Sequence, residues 1–247
     1  MIQIWIYSLA SVAVVSLLSL IGVLALVAQE RTIQRTLFYL VSLSAGALLG
    51  DVFLHMLPEM GSRGLKTSDS FLILLGIFIF FVLERFISWH HSHTEHKEEV
   101  HAVVYLTLIG DSLHNFIDGV VIGSSFLISI PLGITTTLAV ILHEVPHEFG
   151  NFAILVHGGW KAKKALLYNF LSSIPAIFGT VLVLLFAKKL LLAPNYLLAF
   201  AASSFIYIAM SDLIPEIHDK SKEYNSFIQM FGFILGIALM AILLLFE

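Results

Sequence analysis

Asp111, His114, Asn115 and Asp118 recur at helical spacing in one apolar stretch of the chain, and His143, Glu144, His147 and Glu148 do so in the next. His114 and Asp118 are four residues apart and share a helix face; Asp111 lies one turn earlier, and Asn115 widens the polar strip. On the following stretch His143 pairs with His147, and Glu144 with Glu148, at the same interval. Two facing helices so equipped offer imidazole nitrogen and carboxylate oxygen together. That donor set suits first-row divalent ions, Zn²⁺ in particular, and does not suit a hydrated monovalent ion. Ionisable groups within apolar segments are costly unless they face a protein-lined cavity or one another, so the cluster points to a polar path for ions. A network that only locks helices together explains it less well, because membrane hydrogen bonds contribute about 0.6 kcal/mol each on average. Proton or cation relay without a bound transition metal is a further alternative for the same groups.

HEVPH at 143–147 also matches the H-E-x-x-H spacing of zinc peptidases, in which the Glu acts as general base toward metal-bound water. The number of candidate ligands exceeds a three-ligand site with an open position, and Pro146 inside the motif disturbs the helix that must hold both histidines. The residues therefore favour carriage of the ion over hydrolysis, and no enzymatic activity is expected. Pro146 predicts a kink, with freed carbonyls near Ile141 or Leu142 lining the pathway. Gly119, Gly123 and Gly150, with Ser124 and Ser125, are expected to let the two ligand-bearing helices approach closely.

The elements that must hold these residues are membrane helices. Of 247 residues, 58% are hydrophobic and only 12% charged, about half the charged share of an ordinary soluble domain. The sequence has no cysteine, which excludes disulfides and thiolate metal sites. A net charge of −4 without a large basic patch gives no reason to expect nucleic acid as a partner. Apolar runs predict eight helices near 3–28, 37–59, 69–89, 101–129, 132–157, 162–188, 194–217 and 224–246, each long enough for about 30 Å of hydrocarbon. The first run is too long for a secretory signal and reads as a retained helix. The chain is thus expected to be an all-α polytopic membrane protein with one transmembrane domain over 1–247. With both termini outside, nine Lys and Arg fall on the inner side (Arg31, Arg35, Arg85, Lys97, Lys161, Lys163, Lys164, Lys220, Lys222) and four on the outer (Arg63, Lys66, Lys188, Lys189).

The end of helix two, SLSAGALLGDVFLHMLPE (42–59), echoes the end of helix seven, AFAASSFIYIAMSDLIPE (199–216), with Pro58 on Pro215 and Glu59 on Glu216. The two lie an odd number of crossings apart, so helices one to three and six to eight would form an inverted repeat. His55 and Glu59, and Asp212 with Glu216 and His218, are expected as accessory positions near the two membrane faces. Asn169, Ser172 and Ser173 on helix six are possible neighbours of a metal ion, though their spacing alone carries no strong argument. His90, His91, His93 and His96, with Glu98, Glu99 and His101, make a His-rich loop at 90–101 that would face the cytoplasm and collect metal weakly.

LHNFIDGVVIGSSF (113–126) and HEVPHEFGNFAILV (143–156) resemble the signature helices of the ZIP family of divalent metal transporters, the second being most similar to the subfamily with HExPHExGD on helix five. The resemblance spans the whole chain. It implies eight helices in a 3+2+3 arrangement with both ends outside, and a binuclear site between helices four and five. His114, Asp118, His143, Glu144 and His147 would hold the first ion; Asn115, with the shared Asp118, Glu144 and His147, would frame the second; Glu148 is a motif position. It further implies a homodimer in the bilayer, alternating access by an elevator-like movement and transport toward the cytoplasm, with Zn²⁺ or another divalent transition metal as substrate and no resident cofactor. A plasma-membrane location is expected. The chain departs from the subfamily at Asn151, where the motif usually ends in Asp. It also begins its first helix within a few residues of Met1, which suits a compact or microbial member.

Overall fold

The computed structural model describes residues 2–22, 30–89, 99–190, 194–219 and 226–246. The described residues are almost wholly helical: α1 (Ile2–Leu18), α2 (Glu30–Asp51, continuing to Ser62), α3 (Thr67–Trp89), α4 (Glu99–Ile128), α5 (Ile130–His157), α6 (Ala162–Ser173, resuming at Pro175–Leu185), α7 (Pro194–Ile208, continuing to Asp219) and α8 (Ser226–Leu243). Six helical stretches among them are long and apolar enough to cross a membrane: Ile2–Ile21, Tyr39–Ser62, Thr67–Arg85, Ala162–Leu185, Pro194–His218 and Ser226–Leu243. The protein is therefore an all-α, multi-pass membrane protein. Of the 30-residue α4 and 28-residue α5, each is long enough to span, about 42–45 Å at 1.5 Å per residue. They are also the helices that carry the polar clusters. The His-rich segment 90–98 lies outside the described residues, and side chains of Glu99 and His101 do as well.

Prolines and small residues set the local geometry. Ser129 adopts an extended conformation and its Oγ accepts the Leu132 N–H at 3.2 Å, so α5 starts sharply with Pro131 in its first turn. The helix stops at Gly158–Gly159, where Gly159 takes φ +86° and the Trp160 N–H reaches back to the Leu155 carbonyl at 3.1 Å. Pro175 interrupts α6 after Ser173 because it has no N–H for the helical ladder. In α2 and α7 the turn before the Pro-Glu pair widens into a π turn, Val52–Met56 in one and Ala209–Leu213 in the other. The two π turns stand in the same register relative to Pro58 and Pro215, so the short sequence echo extends to backbone geometry.

Packing divides the helices into two groups. α4 lies against α5 and α6, with α1 against α5 and α6; α2 lies against α8, and α3 against α7. The groups meet where α2 touches α5 and where α7 touches α4. The largest apolar cluster fills that boundary, with Ala45, Leu48 and Val52 of α2 and Ala202, Phe205 and Ala209 of α7 among Val121, Ile122, Ala139 and Val140. Gly119 and Gly123 do not serve the α4–α5 contact expected of them. They face Ala176 and Thr180 of α6, on the flank of α4 one and two turns beyond Asn115, while Gly150 has open space where a side chain would be. Gly46 and Gly236 allow the same close approach between α2 and α8.

Candidate metal centre

α4 and α5 bring four of the predicted residues to one point. Ligand atoms of His114, Asp118, His143 and Glu144 all lie within 4.8 Å of one another. His114 Nε2 is 3.0 Å from Glu144 Oε1 and 3.7 Å from Asp118 Oδ2; His143 Nε2 is 3.2 Å from Asp118 Oδ2 and 3.4 Å from Glu144 Oε1. The two Nε2 atoms are 3.3 Å apart. Asp118, His143 and Glu144 are buried and His114 is partly so. Phe205 of α7 packs edge-on against the His143 ring, closing one wall.

Second contacts aim these groups. His143 Nδ1 lies 3.2 Å from the Ala139 carbonyl, which can only accept, so Nδ1 carries a proton and Nε2 points into the cluster, where the neutral ring offers its lone pair to a cation. The four oxygens of Asp118 and Glu144 are out of contact with solvent and have no hydrogen-bond donor beside them apart from the histidine rings. Carboxylates so placed are expensive without a cation. The centre is a candidate metal-binding site with two nitrogen and two oxygen donors, a set that matches a divalent transition ion.

The other predicted site residues stand beside this cluster. His147 is half exposed; its Nδ1 is 3.9 Å from Glu144 Oε1 and 3.6 Å from Asp111 Oδ1. Asn115 spends its amide N–H on the Asp111 carbonyl and on Asp111 Oδ1, both at 3.2 Å. Glu148 is fully buried and its Oε2 accepts from Asn169 Nδ2 at 2.6 Å. Asn169 also reaches the Ser19 carbonyl at 3.1 Å, tying α6 to α5 and to the end of α1. The sequence offers Asn169 as a neighbour of a metal ion, and spacing within one helix has no means of showing that it meets Glu148. Asp111 and Asn151, bonded at 2.7 Å, were likewise left outside the ligand set.

Pro146 does not break α5, which runs through it. The Leu142 carbonyl, which Pro146 leaves without an N–H partner, accepts instead from Ser44 Oγ of α2 at 2.5 Å. It is thus turned to the neighbouring helix group rather than lining an open path. Of the accessory positions, His55 Nε2 meets the Met240 carbonyl at 2.9 Å, Glu59 pairs with Arg63 at 2.7 Å, and Asp212 accepts from Ser211 at 2.7 Å.

A multi-pass helical membrane protein with a buried His/Asp/His/Glu centre is, as a class, a membrane protein built to meet metal ions. The ZIP zinc transporter family profile matches residues 2–102 and 88–244, and the chain belongs to that family. This is a family of transporters and not of enzymes, so the H-E-x-x-H spacing at 143–147 is a transporter motif rather than a peptidase one. The chain is similar to zinc transporter foi of Drosophila melanogaster, 37% identical over 174 residues, covering 67% of this chain and 24% of that protein. It is 28% identical over 307 residues to zinc transporter zipt-7.2 of Caenorhabditis elegans, covering 99% of this chain and 66% of the relative. It is 36% identical over 157 residues to metal cation symporter ZIP14 of Xenopus tropicalis, covering 60% and 34%. The chain thus spans between about a quarter and two thirds of the length of these relatives.

Proposed function

We propose that the protein carries divalent transition-metal cations, Zn²⁺ foremost, across a bilayer toward the cytoplasm. The observation that carries this reading is the buried centre of His114, Asp118, His143 and Glu144, whose carboxylates have no donor beside them apart from the histidine rings and whose charge a divalent ion would offset. Eight crossings in a 3+2+3 arrangement, with both termini outside, agree with the eight helical segments and with the Lys and Arg distribution. The matched π turns of α2 and α7 favour an inverted repeat.

In this reading the first ion is held by His114, Asp118, His143 and Glu144, with His147 joining by a short rotation of its ring. Asn115 and Glu148 stand next to a second ion that shares Asp118, Glu144 and His147. HEVPHEFGN then acts as the HExPHExGD motif of the helix-five subfamily, with Asn in its last place. The carrier works as a homodimer at the cell surface, and the group α1, α4, α5 and α6 moves against α2, α3, α7 and α8. A wider range that includes Fe²⁺, Mn²⁺ and Cd²⁺ is the second reading, favoured by a mixed imidazole and carboxylate set with no thiolate.

Metal flux into proteoliposomes tests the proposal. Reconstituted protein should pass Zn²⁺, and the folded His143→Ala variant should lose most of that flux. Zinc binding by wild-type protein without any flux would sink the transport reading; competition by Fe²⁺, Mn²⁺ and Cd²⁺ in the same assay separates the narrow range from the wide one.

A further inference from the structure

Asn151 is buried on α5 one turn beyond His147 and spans the gap to α4. Its Nδ2 donates to Asp111 Oδ1 at 2.7 Å and lies 3.4 Å from His147 Nδ1. Asp111 Oδ1 takes a second hydrogen from Asn115 Nδ2 at 3.2 Å and stands 3.6 Å from the same His147 nitrogen. A single amide nitrogen with two hydrogens therefore faces both a carboxylate and an imidazole. The amide hydrogen fixes Asp111 Oδ1, the oxygen that stands 3.6 Å from His147 Nδ1, and a ring that gives its Nδ1 proton to a carboxylate keeps the Nε2 lone pair for a metal ion. His147 needs such a tether, since it is the half-exposed histidine of the group and its Nδ1 stands 3.9 Å from Glu144 Oε1.

We infer that Asn151 is a positioning residue of the metal site. It sets the orientation of the His147 ring, keeps the Asp111 carboxylate in register with it, and so determines how tightly this side of the site holds a divalent cation. Asn151 itself touches no ion. Its effect passes through two bonds, as polar partners of metal-binding side chains generally act by fixing ring orientation. The inference rests on the transport reading above. An ionised aspartate at 151 has no hydrogen for Asp111 and would set two carboxylates against each other, so Asp111 would lose its place beside the ring.

The test is Zn²⁺ flux into proteoliposomes with wild-type protein and the variants Asn151→Ala, Asn151→Asp, Asp111→Asn and the exchanged pair Asp111→Asn/Asn151→Asp. Loss of an orienting partner typically weakens metal affinity about 10–100-fold, so Asn151→Ala should raise KM at least about tenfold while Vmax stays within about twofold. Asn151→Asp should raise KM at least as much as Asn151→Ala, because it removes the donor to Asp111 and sets a like charge against it. The exchanged pair restores one amide and one carboxylate across the same gap, and its KM should return to within about threefold of wild type, closer than Asp111→Asn alone. A thermal midpoint for each variant separates misfolding from mispositioning. Unchanged KM in Asn151→Ala, or an exchanged pair no better than Asp111→Asn, would overturn the assignment. Absence of flux in wild-type protein would instead overturn the transport reading, so the two failures are distinct.

Discussion

Ser44→Ala should destabilise the protein through a carbonyl on another helix. Ser44 is buried, with Oγ 2.7 Å from the Leu40 carbonyl and 2.5 Å from the Leu142 carbonyl. The Leu40 carbonyl already takes the Ser44 backbone N–H as its helical partner. The Leu142 carbonyl faces Pro146, which has no N–H to give. Removing the hydroxyl therefore strands Leu142. An unsatisfied buried carbonyl costs about 1–3 kcal/mol, and side-chain hydrogen bonds measured in membrane proteins reach at most about 1.7 kcal/mol. A loss of about 1–1.5 kcal/mol is expected, or roughly 2–6 °C in midpoint for a chain of this size. Pro146→Ala supplies the missing N–H, so Ser44→Ala in that background should cost only a few tenths of a kcal/mol, about 0.3, leaving a coupling of about 1 kcal/mol between the two sites. Unfolding in mixed micelles followed by circular dichroism, on all four members of the cycle, measures it. Equal losses in both backgrounds would refute the view that Ser44 fills the gap that Pro146 creates.

His143→Ala removes a ring whose Nε2 faces both Asp118 and Glu144, and calorimetric titration should show Zn²⁺ binding at least about tenfold weaker. Lowering the pH should weaken Zn²⁺ binding in the wild type, because protons compete with the ion for the same imidazole lone pairs; His143→Ala should show a shallower pH dependence. Gly119→Ala should destabilise by about 1–3 kcal/mol, since the new methyl would meet the Ala176 carbonyl, while Gly110→Ala on the same helix meets nothing within 4 Å and should be neutral or slightly stabilising. Asn169→Leu should cost about 1.5–3 kcal/mol by stripping Glu148 of its 2.6 Å donor, read as a lowered unfolding midpoint.

How far the sequence carried this account depended on whether the decisive relation lay within one helix or between two. His114 with Asp118, His143 with His147, and Glu144 with Glu148 could be placed on shared faces from the 3.6-residue period alone, and His114, Asp118, His143 and Glu144 do converge within 4.8 Å. The helical segments followed from apolar runs that only a bilayer would tolerate. The Pro-Glu echo of α2 and α7 was visible as a thin pattern, and its backbone counterpart, the paired π turns, was not, since a π turn is a matter of hydrogen-bond register rather than composition.

Composition, period and charge placement determined by themselves that this is a helical membrane protein carrying a nitrogen- and oxygen-rich cluster fit for a divalent ion. Those properties are local: they depend on what each residue is and on which residues share a helical turn. Only the tertiary structure decided that His147 stands beside the four-residue cluster, that Glu148 answers to Asn169, that Asn151 bridges Asp111 and His147, and that Ser44 takes the carbonyl Pro146 sets free. The bonds Asn169–Glu148, Asn151–Asp111 and Ser44–Leu142 join different helices, so their existence depends on helix rotation and separation, which spacing along one chain segment does not encode.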